Sequence, residues 1–320
     1  MRAAPAATRG VGDARVAIEQ GMNDPRDLGA LIAAATGAPF RISGREPVGG
    51  GSIHRAERID NMRTGTPASV FAKRGAAEIL PMFEAEADGL ARLRGAARGV
   101  RIPGVLFRGL HGEEAVLILD WIDLAPIDAL SGAALGEALA LLHRATSDTF
   151  GLARDNFIGA TAQVNTPDTD WVRFWQNQRL HFQLRLAARN RYPTRLIDRG
   201  ERLAADCAAF FSTYRPAPSL LHGDLWGGNA GRDADGTPVI FDPAAYYGDR
   251  EADVAMTTLF GGFPDEFFSA YANAWPLDSG YATRRQFYNL YHLLNHANLF
   301  AGDYVRQAER SIELLLAELG

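Results

Sequence analysis

The sequence predicts an α+β protein with two lobes, in which a small antiparallel sheet with one main helix precedes a larger, mainly helical part. Short apolar or alternating runs separated by turn residues occupy residues 38–119 and are typical of strands. Longer amphipathic segments follow and are typical of helices. A chain of 320 residues, 47% of them hydrophobic, can fill two cores, because a single core stops growing at about 250–300 residues.

Five runs predict the strands of the sheet, and the short turns between neighbours predict that it is antiparallel. The runs are "FRISGRE", "SIHRAERID", "SVFAK", "VLFRGL" and "EAVLILD". Turns are expected at "NMRTG" and at His111–Gly112. The helix is expected in "AEILPMFEAEADGLARLRG", between the third and fourth strands.

Four later segments carry apolar stripes that predict helices. They are "SGAALGEALALLHRAT", "DWVRFWQNQRLHFQLRLAARN", "RQFYNLYHLLNHANLFAG" and "YVRQAERSIELLLAEL". Ser131 is the expected cap of the first. Residues 120–128 contain proline and suit a hinge, so we expect one lobe at 22–119 and another at 129–320.

Composition argues against several classes of protein. A net charge of −5, with arginines interspersed among Asp and Glu, argues against a nucleic-acid partner. No apolar run approaches the roughly 20 residues needed to span a bilayer, so we expect no membrane partner and a cytoplasmic location. Residues 1–21 lack the apolar core of a signal peptide and are interpreted as a disordered extension, or as sequence upstream of a start at Met22. The single cysteine, Cys207, excludes an internal disulfide, and its apolar surroundings predict a buried, inert thiol.

Three consecutive glycines, Gly49, Gly50 and Gly51, lie with Ser52 between two predicted strands. Their backbone N–H groups can cradle an anion, but on this evidence alone a plain hairpin turn is the preferred interpretation. No Gly-Lys-Ser/Thr follows, so the loop is not a Walker A motif, and His54 stands where a dinucleotide fingerprint needs its third glycine.

Lys73 ends the apolar strand "SVFAK". A solvated strand end is the ordinary explanation for such a lysine. The following helix offers Glu84 and Glu86, either of which can fix the lysine while it reaches a nucleotide phosphate. Glu86 is preferred because Leu90 and Leu93 follow it on the face expected to point inward.

The stretch "LLHGDLWGGNAG" contains the strongest candidates for chemistry. Asn229 follows Asp224 by five residues, and Asp242 closes the apolar run "VIFD". This spacing is typical of a kinase catalytic loop, in which the first aspartate accepts the proton of the attacking hydroxyl. The asparagine and the second aspartate then offer hard oxygen ligands to Mg²⁺. The order of glycine loop, lysine, glutamate and these three residues extends over about 190 residues and favours a kinase.

The loop and its surroundings resemble the fructosamine kinase, or ketosamine 3-kinase, family. The resemblance is carried by "LLHGDLWGGN", "FDPAAYYGDREADVAM", "LFGGF" and "LYHLLNHANLFAG", and it extends from about Asp27 to the C-terminus. "HGD" and "DP" are shared with small-molecule kinases generally, whereas "LWGGN" and "YYGDREADVAM" narrow the match. The resemblance implies a bilobal protein-kinase-like fold, shared with aminoglycoside phosphotransferases and choline kinases.

The resemblance also implies site roles. Asp224 is implied as the base, with Asn229 and Asp242 as Mg²⁺ ligands. The implied ATP contacts are Gly49, Gly50, Gly51 and Ser52 over the phosphates, the Lys73–Glu86 pair, and the backbone of Asp120, Trp121 and Ile122 around adenine. The implied reaction moves the γ-phosphate of ATP to the 3-hydroxyl of a ketosamine, a fructosamine or ribulosamine adduct, either free or on a glycated protein. The phosphorylated adduct then leaves the amine, which reverses glycation.

Further residues of the helical lobe have open roles. Trp226 can form an apolar wall for the sugar or pack in the core. His222 is expected to hydrogen-bond within its loop, and Asp253 to brace that loop through backbone amides. His292 and Asn295, with His296, can line the acceptor cleft or simply pack.

One residue departs from the family pattern, and several alternative classes stay open. Some members carry a cysteine in the glycine loop that links two chains, whereas this chain has Ser52, so we expect a monomer without that disulfide. Another small-molecule kinase, acting on an aminoglycoside or an amino alcohol, would use the same phosphate machinery. A metallophosphoesterase would need further clustered metal ligands, and the seven histidines are scattered. A pseudokinase would be expected to lack Lys73, Asp224 or Asp242.

Overall fold

A computed structural model describes residues 27–49, 54–62 and 67–320 of the chain. The chain divides into two compact units. The first contains the residues up to Phe83 together with Val105–Trp121, and the second contains Glu84–Gly104 and Ile122–Gly320. The lobe boundaries expected from the sequence, 22–119 and 129–320, stay a proposal.

The first unit is built on a five-stranded antiparallel sheet, as the sequence predicts. Its elements are α1 (Leu28–Thr36), β1 (Ile42–Pro47), β2 (Arg55–Asn61), β3 (Ser69–Ala76), β4 (Val105–His111) and β5 (Glu114–Asp120). Helix α2 (Leu80–Ala96) follows β3 and crosses the division between the units. The strand order is β1-β2-β3-β5-β4. The predicted turn between the last two strands is confirmed, because Gly112 has the positive φ of 61° that a tight turn favours.

Helix α1 covers the sheet and closes the core of the first unit. Asp27 caps this helix by accepting hydrogen bonds from the N–H groups of Gly29 and Ala30. Leu31 and Ile32 are buried together with apolar residues of β2, β3 and β5. The alternation of the strands therefore places one apolar face of the sheet under the helix.

The second unit is mainly helical and contains three two-stranded ladders. Its helices are α3 (Ala129–Leu142), α4 (Trp171–Trp175), α5 (His181–Arg189), α6 (Thr194–Asp206), α7 (Arg250–Leu259), α8 (Asp265–Ala274), α9 (Tyr281–Phe300) and α10 (Asp303–Leu319). Its ladders pair β6 (Asn156–Ile158) with β7 (Thr161–Gln163), β8 (Ser219–Leu221) with β11 (Tyr246–Gly248), and β9 (Ala230–Arg232) with β10 (Pro238–Ile240). Within the described residues, no helix is both long and apolar enough to cross a membrane.

An aromatic core holds these helices together. The Trp175 ring lies 4.9 Å from that of Tyr288, and the indole N–H of Trp171 donates to the Tyr288 hydroxyl at 2.9 Å. Cys207 is buried beside them, and burial raises the pKa of its thiol to about 12, so the prediction of a buried thiol is confirmed.

The cap predicted for α3 is wrong by three residues. Asp128, not Ser131, is the N-cap, and its carboxylate accepts from the backbone N–H of Ser131 at 2.9 Å. The Ser131 hydroxyl accepts in return from the backbone N–H of Asp128, which completes a capping box. Both residue types are good caps, so the sequence alone favoured the serine next to the apolar run.

Candidate active site

The loop "LLHGDLWGGNAG" is held by two ladders of the second unit. Strand β8 leads into the loop and pairs with β11 along its whole length. The hairpin of β9 and β10 follows, with Ala230 opposite Ile240. Asn229 directly precedes the first strand of the hairpin and Asp242 follows the end of the second strand by two residues, so both lie at the open end of the hairpin.

Gly223 is required by a close contact between the loop and the segment after Asp242. It has a left-handed backbone with a φ of 81°, and a Cβ at this position would overlap the carbonyl oxygen of Ala244. The N–H of Ala244 donates in turn to the carbonyl of His222 at 2.9 Å. The "HGD" triplet can therefore carry only glycine at its centre.

Asp253 on α7 braces the loop, as predicted. Its carboxylate accepts from the backbone N–H of His222 at 2.6 Å and of Gly223 at 2.8 Å. Nε2 of His143 lies 3.2 Å from the same carboxylate. Burial acts to raise the pKa of Asp253, but the hydrogen bonds and His143 outweigh it, so the pKa lies below its usual value. The brace therefore stays ionised.

His222 hydrogen-bonds within its own loop, which confirms the sequence prediction. Its Nε2 lies 2.9 Å from the carbonyl oxygen of Phe241 and must donate, because a carbonyl only accepts. Its Nδ1 then accepts from the N–H of Asp224 at 3.3 Å. Burial lowers the pKa of His222 and favours this neutral form.

Asn229 fixes the orientation of Asp224. Its Nδ2 donates to the backbone oxygen of Asp224 at 2.8 Å and to the carboxylate Oδ2 at 3.1 Å. Asp224 keeps part of its surface exposed, yet the surrounding protein desolvates its carboxylate. This desolvation, with a further contribution from the Asp242 carboxylate, raises the pKa of Asp224 to about 7. An oriented carboxyl group that titrates near neutrality is suited to accept a hydroxyl proton.

Asn229 and Asp242 fit a magnesium ion. Because the Asn229 amide nitrogen is turned towards Asp224, its Oδ1 remains as an acceptor oxygen for a cation. Asp242 has a left-handed φ of 55°, a conformation that clusters at functional sites. Across residues 27–49, 54–62 and 67–320, no three His, Cys, Asp or Glu side chains form a metal cluster. Mg²⁺ bound with nucleotide phosphates needs only one or two protein carboxylates, so this donor pair is sufficient.

Helix α2 packs against the segment that carries Asp242. A Cβ on Gly89 would lie 3.2 Å from the Pro243 ring, so the small residue allows the close approach. Glu86 lies on the same helix, one turn before Gly89. Glu84, the other glutamate considered for Lys73, lies 3.8 Å from Arg154, which also forms an ion pair with Asp88 at 2.6 Å.

Lys73 lies in the first unit, on β3 opposite Leu117. It is only 3% exposed, which excludes a solvated strand end, and its Nζ lies 6.0 Å from the centroid of the Phe71 ring. Since Lys73 and Glu86 belong to different units, their pairing stays a prediction.

The remaining residues predicted to contact ATP are only partly described. Gly49 is exposed after β1, whereas Gly50, Gly51 and Ser52 lie outside the described residues. Strand β5 ends at Asp120, and the guanidinium of Arg58 lies 4.9 Å from the ring centroid of the next residue, Trp121. Ile122 begins the second unit. Contact of these backbone groups with adenine stays a prediction.

Trp226, two residues after the candidate base, is exposed, which removes the alternative of a packed core tryptophan. Its side chain is 39% exposed, and its ring meets that of Phe260 edge-on at 6.0 Å. The ring also covers Gly228, where a Cβ would overlap the indole.

His292 and Asn295 on α9 are buried. Asn295 accepts from Nε2 of Gln183 at 3.1 Å. This burial favours the packing alternative for both residues, and their contact with an acceptor stays a prediction.

His143 and Tyr271 support the site and were not predicted from the sequence. Nδ1 of His143 lies 2.8 Å from the Tyr271 hydroxyl, while its other nitrogen contacts Asp253. The sequence shows only a histidine after the apolar helical run "ALALL". Tyr271 comes from α8, far along the chain, and no spacing rule connects the two residues.

Comparisons with known proteins identify a family that matches most of the chain. A family profile described as fructosamine kinase matches residues 26–318. A "Probable ketoamine kinase" of Synechocystis is 39% identical over 290 residues, which cover 89% of this chain and 94% of that protein. The chloroplastic protein-ribulosamine 3-kinase of Arabidopsis thaliana is 38% identical over 269 residues, or 83% of this chain and 80% of that one.

Solved structures share the fold. The crystal structure of a "Putative fructosamine-3-kinase" from Haemophilus somnus matches with a TM-score of 0.80 at 30% identity, and the match covers 90% of this chain and 96% of that one. An aminoglycoside phosphotransferase, APH(4)-Ia, has a TM-score of 0.56 at 15% identity, with 91% and 99% covered, which shows the fold alone. Choline kinases are also among the structural matches. The predicted protein-kinase-like fold is confirmed.

Proposed function

The chain belongs to the fructosamine kinase family, and on that premise we propose that it transfers the γ-phosphate of ATP to the 3-hydroxyl of a fructosamine or ribulosamine. Membership makes it an ATP-dependent ketosamine kinase. The proposal adds the position of the hydroxyl and the sugar of the adduct. The observation that supports the phosphoryl-transfer chemistry is the Asp224 carboxyl group, oriented by Asn229 and with its pKa raised to about 7 on a braced loop. The position of the hydroxyl and the sugar are proposed from the similarity to the protein-ribulosamine 3-kinase.

In the proposed mechanism, Asp224 accepts the proton of the 3-hydroxyl. The hydroxyl oxygen attacks the γ-phosphorus, the bond from that phosphorus to the β–γ bridging oxygen breaks, and ADP leaves. The hydrogen bond from Asn229 holds Asp224 Oδ2 in place, and the backbone braces from Asp253 hold the loop. Such positioning supplies much of the rate in phosphoryl transfer, because the protein has little covalent chemistry to perform.

Asn229 and Asp242 are the residues we assign to Mg²⁺. When bound, the ion would neutralise charge on the phosphates. Lys73 and Glu86 are assigned to the phosphates as an ion pair, and Gly49, Gly50, Gly51 and Ser52 to the loop over them. The backbone of Asp120, Trp121 and Ile122 is assigned to adenine.

On the acceptor side we assign Trp226 as the wall beside the sugar. It follows the candidate base by two residues and is exposed, as a contact residue must be. His292 and Asn295 are retained as acceptor residues of lower rank because both are buried. The proposed consequence of phosphorylation is release of the amine and reversal of glycation.

An acceptor panel tests this function. The protein is incubated with Mg-ATP and, separately, a fructosamine, a ribulosamine, an aminoglycoside and choline, and phosphorus NMR locates any new ester. We expect a 3-phosphate on a ketosamine only. Phosphate on the aminoglycoside or choline alone would overturn the acceptor assignment and leave the kinase chemistry intact.

A further inference from the structure

Five aromatic rings form a continuous surface that starts at Trp226, two residues after the candidate base in the sequence. This aromatic surface consists of Trp226, Phe260, His296, Phe300 and Tyr304. The ring of Phe260 lies 6.0 Å from Trp226, 4.9 Å from His296 and 6.4 Å from Tyr304. The His296 ring lies 5.7 Å from that of Phe300 and 5.1 Å from that of Tyr304.

The aromatic surface is attached to the catalytic loop by a close backbone contact. A Cβ on Gly227 would lie 2.9 Å from the carbonyl oxygen of Gly261 and 3.2 Å from Cα of Gly262. Both of these glycines directly follow Phe260 and have positive φ angles. The segment carrying Phe260 is therefore packed against the loop carrying Asp224.

Exposure of these rings is unusual for this chain. Among the described residues, the only exposed Trp and Phe side chains are Trp226 at 39%, Phe260 at 38% and Phe300 at 56%. All three belong to the aromatic surface. Large aromatic side chains that could be buried but lie together in water indicate a binding surface.

His296 adds a polar group at the centre of the surface. Its Nδ1 lies 2.8 Å from the carbonyl oxygen of His292, which can only accept, so Nδ1 carries the proton. Nε2 is then the acceptor nitrogen of the ring. Partial burial lowers the pKa of His296, which favours this neutral form.

These features match the part of a ketosamine that a free sugar lacks. The amine of the adduct is a secondary amine, protonated at neutral pH, and it continues into the methylene chain when the amine comes from a lysine. Electron-rich ring faces attract cations and cover methylene groups, and a neutral histidine nitrogen accepts a hydrogen bond from an ammonium. A cationic histidine would repel the same group.

We propose that the aromatic surface binds the amine-bearing arm of the ketosamine, with Trp226 and Phe260 against the ammonium and Phe300 and Tyr304 along a lysine side chain. This inference rests on the proposed function and adds which residues hold the amine-bearing arm of the acceptor. Its outer members lie on α9 and α10, where Phe300 is exposed and Tyr304 is half-buried.

Steady-state kinetics with two acceptors test the proposal. One acceptor is the fructose adduct of Nα-acetyl-lysine, and the other is the fructose adduct of methylamine, which has the ammonium but no side chain. For Phe300→Ala we expect the KM of the lysine adduct to rise about threefold to tenfold, the scale of one aromatic contact. The KM of the methylamine adduct, the KM of ATP and kcat should not change.

Two further variants keep the test decisive. Phe300→Leu retains apolar bulk but removes the ring, and it should raise the KM of the lysine adduct in the same direction if Phe300→Ala folds poorly. Leu314→Ala is the control, because Leu314 is 51% exposed on α10 but is not part of the aromatic surface, and it should leave both KM values unchanged.

The outcomes separate this proposal from the one on which it rests. If the KM of the lysine adduct is the same in the wild type and the Phe300 variants, the aromatic surface does not bind the amine-bearing arm. The same conclusion would follow if the KM values of both acceptors rose equally. A wild-type dimer on size-exclusion chromatography that Phe300→Ala converts to monomer would overturn it too, in favour of contact between copies. Failure of the wild type to phosphorylate either adduct would instead overturn the proposed function.

Discussion

Asp224 is the residue on which the proposed chemistry depends most directly. Its replacement by alanine removes the proton acceptor but leaves the backbone oxygen that Asn229 contacts. We therefore expect Asp224→Ala to fold normally and to lower kcat by roughly 10²- to 10⁴-fold, the usual scale for a general base. The KM of ATP should change little. A coupled ADP-release assay and thermal unfolding give the two measurements.

The hairpin itself offers a matched control. Asp235 is an exposed aspartate in the turn between β9 and β10, so Asp235→Ala removes a carboxylate from the same hairpin without touching the loop. It should retain wild-type kcat. Near-normal turnover in Asp224→Ala would remove this residue from the mechanism.

His292 makes folding sensitive to pH. Burial, with a contribution from His296, lowers its pKa to about 3, whereas the unfolded chain restores the ordinary value near 6.5. As the pH falls below about 6.5, only the unfolded state takes up this proton, so the folded state loses stability by up to about 1.4 kcal/mol per pH unit.

A non-titrating variant isolates this effect. Between pH 6.5 and 5, the unfolding free energy of His292→Gln should fall less than that of the wild type. The difference should be up to about 1.4 kcal/mol per pH unit, the effect of one proton. Urea unfolding at a series of pH values measures the difference. Identical pH profiles for the two proteins would show that His292 is not held neutral by the fold.

At the scale of elements, the contact between the catalytic loop and the segment after Asp242 is the decisive packing feature. Gly223 and Gly236 have nearly the same φ, 81° and 82°, but only Gly223 faces the Ala244 carbonyl. Alanine at either position pays the same backbone strain, of order 1 kcal/mol. Gly223→Ala must in addition push the two segments apart.

Comparison of the two alanine variants therefore isolates the loop contact. We expect Gly236→Ala to lose about 1 kcal/mol of stability with full activity. Gly223→Ala should lose clearly more and should also lower kcat, because Asp224 is the next residue. Thermal unfolding and steady-state kinetics of Gly223→Ala and Gly236→Ala measure these differences in stability and kcat. Equal effects in both would mean that the loop tolerates displacement.

The helices show where sequence patterns reach their limit. The apolar stripe of "DWVRFWQNQRLHFQLRLAARN" predicts one helix, but a π-helical turn at Gln176–Leu180 separates α4 from α5. Arg179 in this turn is buried, with its guanidinium 4.3 Å from the centroid of the Tyr246 ring and 2.8 Å from Oδ1 of Asn165. A stripe records where apolar residues recur, so it cannot show a cation buried among rings from other elements.

At the scale of the whole molecule, what the sequence predicts depends on separation along the chain. The five-stranded sheet follows from short runs and turns at residues 38–119, and the grouping of Asp224, Asn229 and Asp242 follows from short spacings around the hairpin of β9 and β10. Both patterns are visible in the sequence. The brace of Asp253 was predictable from its helix start. Its support by His143 and Tyr271 joins residues more than 100 positions apart, and only tertiary structure brings them together.

Ligand binding offers a measurement on the whole molecule. If Asn229 and Asp242 hold Mg²⁺ with the nucleotide, Mg-ADP binds only the folded state and stabilises it by about 2.7 kcal/mol at a ligand concentration of 100 times Kd. Each tenfold loss of affinity removes about 1.4 kcal/mol of that gain. Asp242→Asn keeps the shape of the side chain but removes its charge, so it should lose most of the magnesium-dependent part of the stabilisation.

Thermal unfolding with ADP alone, with Mg-ADP and with Mg-ADP plus EDTA separates the contributions. We expect the wild-type Tm to rise with Mg-ADP and to return with EDTA to its value in ADP alone. Asp242→Asn should show the same Tm in all three solutions, and Asp235→Asn, which changes a carboxylate at the far end of the same hairpin, should behave as the wild type. A full magnesium-dependent rise in Asp242→Asn would exclude this carboxylate as a ligand. A fourth solution without ligand shows whether the nucleotide site has survived the substitution, because an intact site gives a higher Tm in ADP alone than in the ligand-free protein.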